Sequence, residues 1–221
     1  MEEIIVATTN NNKVKRIKRL LKNLDYKVLS LEDMGLKNIP EPPENASTPI
    51  DIAIEKAIYY SNYLPENKII LSQDETILLE GIKEEDDPKM HIKKPVINKY
   101  GSFTDEFAAE YYKDLANKYG GIIPMKFKYG IAVVKKEKNN NKISKKVFAK
   151  EAFLSVRLTN QIHKLEKSPG YFFEALIEAN VNNNWLRYND LSEEILTDLD
   201  NDLYIAIIML LKQCDKILGE Q

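Results

Sequence analysis

The residues best suited to chemistry follow a short apolar run near the N-terminus, in the stretch "IIVATTNNNKVKRIKRLL". The run predicts a buried strand, and the apolar residues after Lys13 recur at helical spacing. A loop that enters a helix offers unpaired N–H groups and partial positive charge, which favour phosphate. Asparagine and threonine add donors, and Lys13 adds a full charge. A phosphate loop and a loop whose asparagines only turn the chain and cap the helix both fit this stretch alone.

Two carboxylates further along the chain could complete such a site. Asp74 lies in "ILSQDETI" and is expected to end an apolar strand, at the carboxyl end where open α/β sheets place ligands. Glu44 lies in the proline-rich loop "NIPEPPENASTP". Magnesium takes one or two carboxylates together with phosphate oxygens and water, so this pair could form part of its shell. Taken singly, Asp74 could be a turn residue and Glu44 a solvated loop charge.

The elements around these residues alternate between strand and helix in the first part of the chain. Thr48 is a predicted N-cap with Pro49 at the first helical position. The predicted strands are residues 2–8, 26–31 and 68–73, and the predicted helices begin near Val14 and at Pro49. This alternation predicts an α/β sheet with parallel members.

The rest of the chain predicts a second lobe that is antiparallel. A helix is expected at about 104–119, with Phe107, Ala108, Tyr111, Leu115 and Tyr119 on its inner side. Further strands are expected at 126–136, 146–158 and 170–179, the first two joined by the hairpin loop "EKNNNKIS", with a closing helix at 203–218. The charged stretch "KEEDDPKMHIKKP" is expected to be exposed.

The composition excludes several classes of protein. The chain has 221 residues, 43% of them hydrophobic, and a net charge of −2, so no overall field favours nucleic acid or an acidic membrane. The apolar run "YIAIIMLL" is too short to cross a bilayer, and no signal-peptide pattern opens the chain. A cytoplasmic protein without nucleic-acid or membrane partners is expected. The single Cys214 excludes an internal disulfide and predicts a buried, inert thiol.

The polar loop is the start of a longer resemblance to a known family. "VATTNNNKVKRIKRLL" resembles the A-T-x-N-x-x-K opening of the inosine triphosphatase-like proteins, which are non-standard purine nucleoside triphosphate pyrophosphatases. The similarity continues through the proline-rich loop, where the family has E-E-T-G, and through a helix with a lysine. It then reaches "ILSQDETI", which is similar to the strand that ends in D-D-S-G or E-D-T. About the first 80 residues follow this pattern, whereas "PGYFFEALI" resembles the family's F-G-[YW]-D-P-x-F strand only in outline.

The resemblance implies a fold, a reaction and a set of site residues. It implies an α/β fold with an elongated mixed central sheet flanked by helices, two lobes with a cleft between them, and a homodimer. The reaction would be magnesium-dependent hydrolysis of a nucleoside triphosphate to the monophosphate and pyrophosphate, with manganese as a possible substitute. Glu44 and Asp74 would position the metal, and Asp74, Lys13 and Lys56 would act in catalysis. The implied substrate contacts are Thr8, Thr9, Asn10, Asn12, Lys13, Lys56, Glu75, Phe173 and Glu174.

The expected domain organisation is a single domain that spans residues 1–221. One lobe would comprise about 1–82 and the C-terminal helix, and the other about 100–180.

The sequence departs from the family pattern in three places. The C-terminal S-H-R segment that reads the purine is replaced by an acidic stretch with Asp198, Asp200 and Asp202, which cannot donate to a carbonyl. These acids could bind a second cation, read a base with amino groups or cap the last helix. Gln73 and Glu75 flank Asp74, and Glu75 could strengthen metal binding or repel substrate. The segment G-G-x-P-G is also missing, and His91, Lys93 and Lys94 stand in its place, where they could close over phosphates or be solvated.

Two hypotheses of different classes follow. The first is a nucleoside triphosphate pyrophosphatase with altered base specificity. The second is a nucleotide-binding or regulatory protein that keeps the fold but has little or no activity. The lost S-H-R segment favours the second hypothesis, and the retained Lys13, Glu44 and Asp74 favour the first. A nucleic-acid-binding module ranks last, because no continuous basic stripe is present.

Overall fold

The computed structural model describes residues 2–36, 38–43, 46–139 and 142–216. Within them, one sheet has the strand order β2-β1-β3-β4-β5-β6-β7. The strands are β1 Glu2–Val6, β2 Tyr26–Ser30, β3 Ile69–Leu79, β4 Ile122–Asn139, β5 Lys142–Thr159, β6 Ile177–Val181 and β7 Asn184–Arg187. Strand β1 pairs in parallel with β2 and β3, whereas β6 pairs antiparallel with β5 and β7. The α/β class with a mixed sheet is therefore confirmed; the cleft and the elongated outline stay predictions.

Six helices of the described residues flank this sheet. They are α1 Asn11–Leu21, α2 Pro49–Ser61, α3 Lys93–Tyr100, α4 Asp105–Lys118, α5 Glu193–Leu199 and α6 Asn201–Lys216. The predicted start of α2 is confirmed, since Pro49 is its first residue and the Thr48 side chain accepts a hydrogen bond from the N–H of Asp51. Across the described ranges, no helix is long and apolar enough to cross a membrane.

The chain divides into two compact units. Unit 1 comprises Met1–Glu75, Tyr129–Ala152 and Asp200–Gln221, and unit 2 comprises Thr76–Lys128 and Phe153–Leu199. In unit 1, α2 covers a core that includes Ile5, Ala7, Ala53, Ala57, Tyr60, Ile70, Ala132 and Val134. In unit 2, the rings of Tyr112, Phe127, Phe172 and Phe173 pack together. The lobe boundaries expected from the sequence stay a prediction.

A glycine in β4 allows α2 to lie directly on the sheet. A Cβ atom added to Gly130 would lie 2.2 Å from the carbonyl carbon of Pro49 and 2.2 Å from the nitrogen of Ile50. Both contacts are with backbone, which cannot rotate away as a side chain would. The first turn of α2, and with it the height of Lys56 above the sheet, therefore depends on a bare backbone at residue 130.

Gly130→Ala should destabilise the protein by about 3 kcal/mol, because overpacking against rigid backbone forces α2 outwards. Chemical denaturation monitored by circular dichroism measures the loss. Gly101→Ala is the matched control: it introduces strain at φ +80° but has no atom within 4 Å, so about 1 kcal/mol is expected. Equal losses in the two variants would contradict the close packing at Gly130.

The position of Asp74 within its strand differs from the prediction. Strand β3 does not end at Asp74 but continues to Leu79, because Thr76, Ile77 and Leu79 are buried and extend the strand pattern. Strand β1 ends earlier, since its last pair with β3 joins Val6 to Leu71. Asp74 thus lies three residues beyond the last β1–β3 pair. It is inside its own strand, yet beside the carboxyl end of the neighbouring one.

Part of the predicted strand at 170–179 is a 3-10 turn. Phe172–Ala175 form this turn and β6 begins at Ile177. A strand would place Phe172 and Phe173 on opposite faces. Both side chains are instead only 6% exposed and their ring centroids lie 4.2 Å apart, so the turn buries both rings in one cluster.

Two other expectations for unit 2 need adjustment. The charged stretch contains a 3-10 turn at Glu84–Asp86, and its last residues begin helix α3. Helix α4 is rotated relative to the expected stripe: Tyr112 is fully buried, whereas Phe107 is 36% exposed and stacks on Tyr100.

Candidate functional site

The loop between β1 and α1 is organised by its own polar side chains. The Thr8 hydroxyl accepts from the Asn10 N–H at 3.1 Å, and the Asn10 side-chain oxygen accepts from the Asn12 N–H at 2.8 Å. Asn10 is therefore the N-cap of α1, as one of the two interpretations of this loop expected. The first turn of α1 contains no acidic residue. The corner thus keeps the positive character of a helix start, and nothing in that turn neutralises Lys13.

Two lysines converge on Asp74 at this corner. Lys13 Nζ lies 3.6 Å and Lys56 Nζ 3.4 Å from Asp74 Oδ1. Lys13 Nζ also donates to the Gln73 carbonyl at 3.4 Å. The side chains of these three charged residues are only 11–14% exposed, so their interactions are weakly screened by solvent. The structure therefore brings together three of the predicted catalytic and binding residues.

Glu75 points to the opposite face of β3 from Asp74, as strand alternation requires. Its carboxylate lies 3.7 Å from Lys13 Nζ, 3.5 Å from Arg16 Nη1 and 3.1 Å from Gln73 Nε2. Lys13 reaches both faces because it sits over the end of β1. Glu75 is thus a partner of buried cations, and its predicted contact with substrate stays a prediction.

Buried polar atoms without partners lie on β3 and α2, the elements that carry Asp74 and Lys56. Among the described residues, Ser72 Oγ and Gln73 Oε1 on β3 and the hydroxyl of Tyr60 on α2 are buried and make no hydrogen bond. Tyr60 follows Lys56 by one helical turn on α2 and is 1% exposed. Burial raises the pKa of Tyr60, the Glu41 carboxylate raises it further, and the Lys56 ammonium lowers it. A buried polar atom without a partner costs about 1–3 kcal/mol, and such atoms are typical of functional sites.

The donors available to a metal ion are carboxylates. Within the described ranges, no group of three or more His, Cys, Asp or Glu side chains is arranged to hold a metal. Glu44, the predicted second ligand, lies outside the described residues. Asp74 and the exposed Glu41, to which the Thr9 hydroxyl donates, remain as oxygen donors. Single carboxylates of this kind suit magnesium, which takes most of its other ligands from substrate and water.

The predicted contacts in unit 2 lie in its own interior. Phe173 packs against Tyr112 and Phe127, and the Glu174 carboxylate accepts from the Ser168 hydroxyl. Their roles in substrate binding stay predictions. His91 and Lys94 line a cavity of about 200 Å³ with several acidic residues.

The histidine at position 163 has a partner that the sequence did not indicate. His163 Nε2 lies 2.9 Å from Asp190. Lys164 and His163 lower the pKa of Asp190 to about 2, Lys164 being the larger cause.

The three acidic residues near the last helix differ in their exposure to solvent. Asp198, on α5, and Asp202, in the first turn of α6, are exposed. Asp200 has no exposed side-chain surface, and its carboxylate pairs with Arg19 at 2.5 Å and with Arg16 Nε at 3.8 Å. Asp200 is therefore an ion-pair residue of the interior, and it is not placed to read a base.

Sequence reasoning missed Glu41 and Arg16. Glu41 lies in the proline-rich loop, three residues before Glu44. Arg16 is only 8% exposed. Its position one turn after Lys13, beside Ile17 and Leu20, places it on the buried face of α1. That spacing is the signal that could have found it.

The first part of the chain is similar to a known protein family. The Ham1 family pattern matches residues 4–95. This part of the chain is therefore similar to the Ham1 family. The resemblance to inosine triphosphatase-like proteins is thereby confirmed for the segment that contains the loop between β1 and α1, Lys56 and Asp74.

Individual proteins are similar to this chain in sequence or in fold. A dITP/XTP pyrophosphatase from Clostridium tetani is 34% identical over 76 residues, which cover 34% of this chain and 37% of that protein. The solved Ham1 proteins from Staphylococcus aureus and Coxiella burnetii superpose with TM-scores of 0.60 and 0.59 at 19% and 15% identity, with 100% of each chain covered. A nucleoside-triphosphatase, or dITP/XTP pyrophosphatase, from Mycobacterium abscessus has a TM-score of 0.53 at 14% identity, covering 96% of this chain and 97% of that one. The structures support a shared Ham1 fold.

Proposed function

We propose that the protein is a magnesium-dependent nucleoside triphosphate pyrophosphatase with altered base specificity. The observation that carries the proposal is the convergence of Lys13 and Lys56 on Asp74 at a helix start without acidic residues. Two ammonium groups and an N-terminal helix turn suit a polyphosphate, and a half-buried carboxylate among them suits proton transfer. The Clostridium tetani relative, which is similar to this chain over 76 residues, is named for the same kind of reaction.

In the proposed reaction, a water oxygen attacks the α-phosphorus and the bond from that phosphorus to the bridging oxygen of the β-phosphate breaks. The products are the nucleoside monophosphate and pyrophosphate. Asp74 accepts the proton of the attacking water as general base. Lys13 and Lys56 neutralise the charge that develops on the departing pyrophosphate. The N–H groups at the start of α1 and the hydroxyls of Thr8 and Thr9 orient the phosphate chain.

Asp74 and Glu44 are the proposed magnesium ligands, and Glu41 is a further carboxylate of the same proline-rich segment. When bound, the metal supplies charge neutralisation on the phosphate oxygens and acidifies water. A shell with so few protein ligands implies that metal and triphosphate bind together, because the phosphates complete the coordination.

Altered base specificity follows from the residues near the last helix. Guanidinium and imidazole donors are absent from the sequence of the segment that replaces S-H-R. Asp200, within that segment, is fully buried against arginines. A site without donors to the purine carbonyl discriminates less between inosine or xanthosine triphosphate and the standard purines.

The rival proposal is a nucleotide-binding protein that does not turn over its ligand. The missing S-H-R and G-G-x-P-G segments support it, whereas the convergence of Lys13 and Lys56 on Asp74 supports hydrolysis.

Pyrophosphate release from a panel of deaminated and standard nucleoside triphosphates, with magnesium or manganese, tests the proposal. We expect turnover to monophosphate and pyrophosphate, with less than about tenfold preference for inosine or xanthosine triphosphate over ATP and GTP. Release of orthophosphate instead would contradict the proposed bond cleavage. Saturable binding without any release would favour the rival.

A further inference from the structure

A second group of charges lies behind the candidate site, on the other face of β3. Its members form consecutive ion pairs from the start of α6 to the loop between β1 and α1. They are Asp200, Arg19, Arg16, Glu75 and Lys13. The proposed function assigns a role only to Lys13. The remaining four residues have no assigned role in the proposed reaction.

The step next to Lys13 is its contact with Glu75. Lys13 Nζ is held at 3.6 Å from Asp74 and 3.7 Å from Glu75. A lysine side chain has four rotatable bonds and would otherwise sample many positions. Two carboxylates on opposite faces of β3 therefore hold the ammonium group between them, beside the Gln73 carbonyl. Removing the pull from Glu75 would let Lys13 move towards Asp74.

The next step is the contact of Glu75 with Arg16. Arg16 lies one turn after Lys13 on α1, and its Nη1 is 3.5 Å from Glu75. The guanidinium carbon also lies 5.5 Å from the centre of the Tyr129 ring. Arg16 thus holds Glu75 from a position that is itself packed and 8% exposed. Its planar guanidinium cannot lose its charge at any ordinary pH.

The last step is the contact of both arginines with Asp200. Burial raises the pKa of Asp200, whereas the nearby charges of Arg16 and Arg19 lower it. Asp200 Oδ1 has no hydrogen-bond partner in the described part of the chain. A buried carboxylate that is incompletely hydrogen-bonded contributes little net stability, because its desolvation offsets the attraction. Such a residue calls for a reason other than stability.

We infer that Asp200 and Arg16 are positioning residues that fix Lys13 for contact with a polyphosphate. Asp200 sets the direction of the Arg16 guanidinium, Arg16 holds Glu75, and Glu75 holds Lys13 against the pull of Asp74. The inference rests on the proposed function, since it gives these residues a role in the same site. It places control of the phosphate loop in a residue at the start of α6.

A double-mutant cycle between Asp200 and Lys13 tests the inference. The probe is inorganic tripolyphosphate with magnesium, and binding is measured by calorimetry. Asp200→Asn keeps the shape and removes the charge, and it should weaken binding about tenfold. In the Lys13→Ala background the same change should weaken binding by less than about twofold, because the side chain to be positioned is gone. A general structural defect would weaken binding equally in both backgrounds.

Two further variants keep the inference falsifiable. Arg16→Lys retains the positive charge but loses the planar guanidinium group. It should weaken tripolyphosphate binding about fivefold, again only when Lys13 is present. Asp25→Asn, the same substitution at an exposed site, should leave affinity unchanged. Unfolding midpoints identify any variant that fails to fold. If Asp200→Asn fails to fold, the inference is tested with Arg16→Lys.

The possible results separate the two proposals. If Asp200→Asn and Arg16→Lys bind tripolyphosphate as tightly as the wild type does, the inference is overturned. The proposed function is not affected by that result. Equal weakening with and without Lys13 would also overturn it. Wild type that neither binds tripolyphosphate nor releases pyrophosphate from any nucleotide would overturn the proposed function, and the inference with it.

Discussion

Asp74→Asn should lower kcat/KM for pyrophosphate release by about a thousandfold, equivalent to ~4 kcal/mol in the barrier. The amide cannot accept the proton of the attacking water, and it is a weaker metal ligand than the carboxylate. It also leaves Lys13 and Lys56, which lie 3.6 Å and 3.4 Å from Asp74 Oδ1, without their shared anion. The measurement is steady-state pyrophosphate release with the best triphosphate of the panel.

Asp25→Asn is the control for this prediction, because it is the same chemical change at an exposed residue. Its kcat/KM should equal that of wild type. The folding of Asp74→Asn is checked by its unfolding midpoint. A folded Asp74→Asn protein with more than about a tenth of wild-type activity would contradict the assignment of Asp74 as general base.

Lys13→Ala should weaken triphosphate binding about a hundredfold, equivalent to ~2.7 kcal/mol, and should weaken nucleoside binding less than about twofold. The truncation removes an ammonium group that is 11% exposed, so that its attraction for phosphate is weakly screened. It also leaves two carboxylates, Asp74 and Glu75, with less compensation beside the phosphate chain. Calorimetric titration with a triphosphate and with the matching nucleoside measures the two effects.

The neighbouring Lys15→Ala serves as control, because Lys15 is an exposed lysine of the same helix. It changes the net charge equally, and it should leave both affinities within about twofold of wild type. Loss of affinity for the nucleoside as large as that for the triphosphate would contradict a phosphate role for Lys13.

The first βα unit could be predicted from the sequence, because the residues that determine it are close together in the chain. The apolar run of β1, the polar loop and the helical spacing after Lys13 are adjacent in the chain, and Thr48 with Pro49 marks the start of α2 by short-range capping chemistry. The pairing of β1 with β2 and β3 follows from the alternation of strands and helices. Such features need no knowledge of distant residues.

The features that the sequence did not predict depend on distant partners. Arg16 is a basic residue in a helix, which ordinarily faces solvent, and its partner Asp200 belongs to the start of the last helix. The Arg19 contact with Asp200 likewise joins residues 181 positions apart. The interior position of Asp74 in β3 could not be inferred from polarity, because charged residues usually end strands. Phe172 and Phe173 read as strand residues by composition, and only their shared cluster explains the 3-10 turn.

The absence of acidic residues from the first turn of α1 makes the stability of the protein sensitive to the anions in solution. A helix that begins with a basic side chain and no acid gains stability from whichever anion occupies that end. Phosphate or sulfate in a buffer would then compete with nucleotide and also support the fold, whereas chloride would do so weakly. Melting curves and inhibition constants recorded in different salts would consequently describe different anion-bound species, and the counterion belongs among the stated conditions.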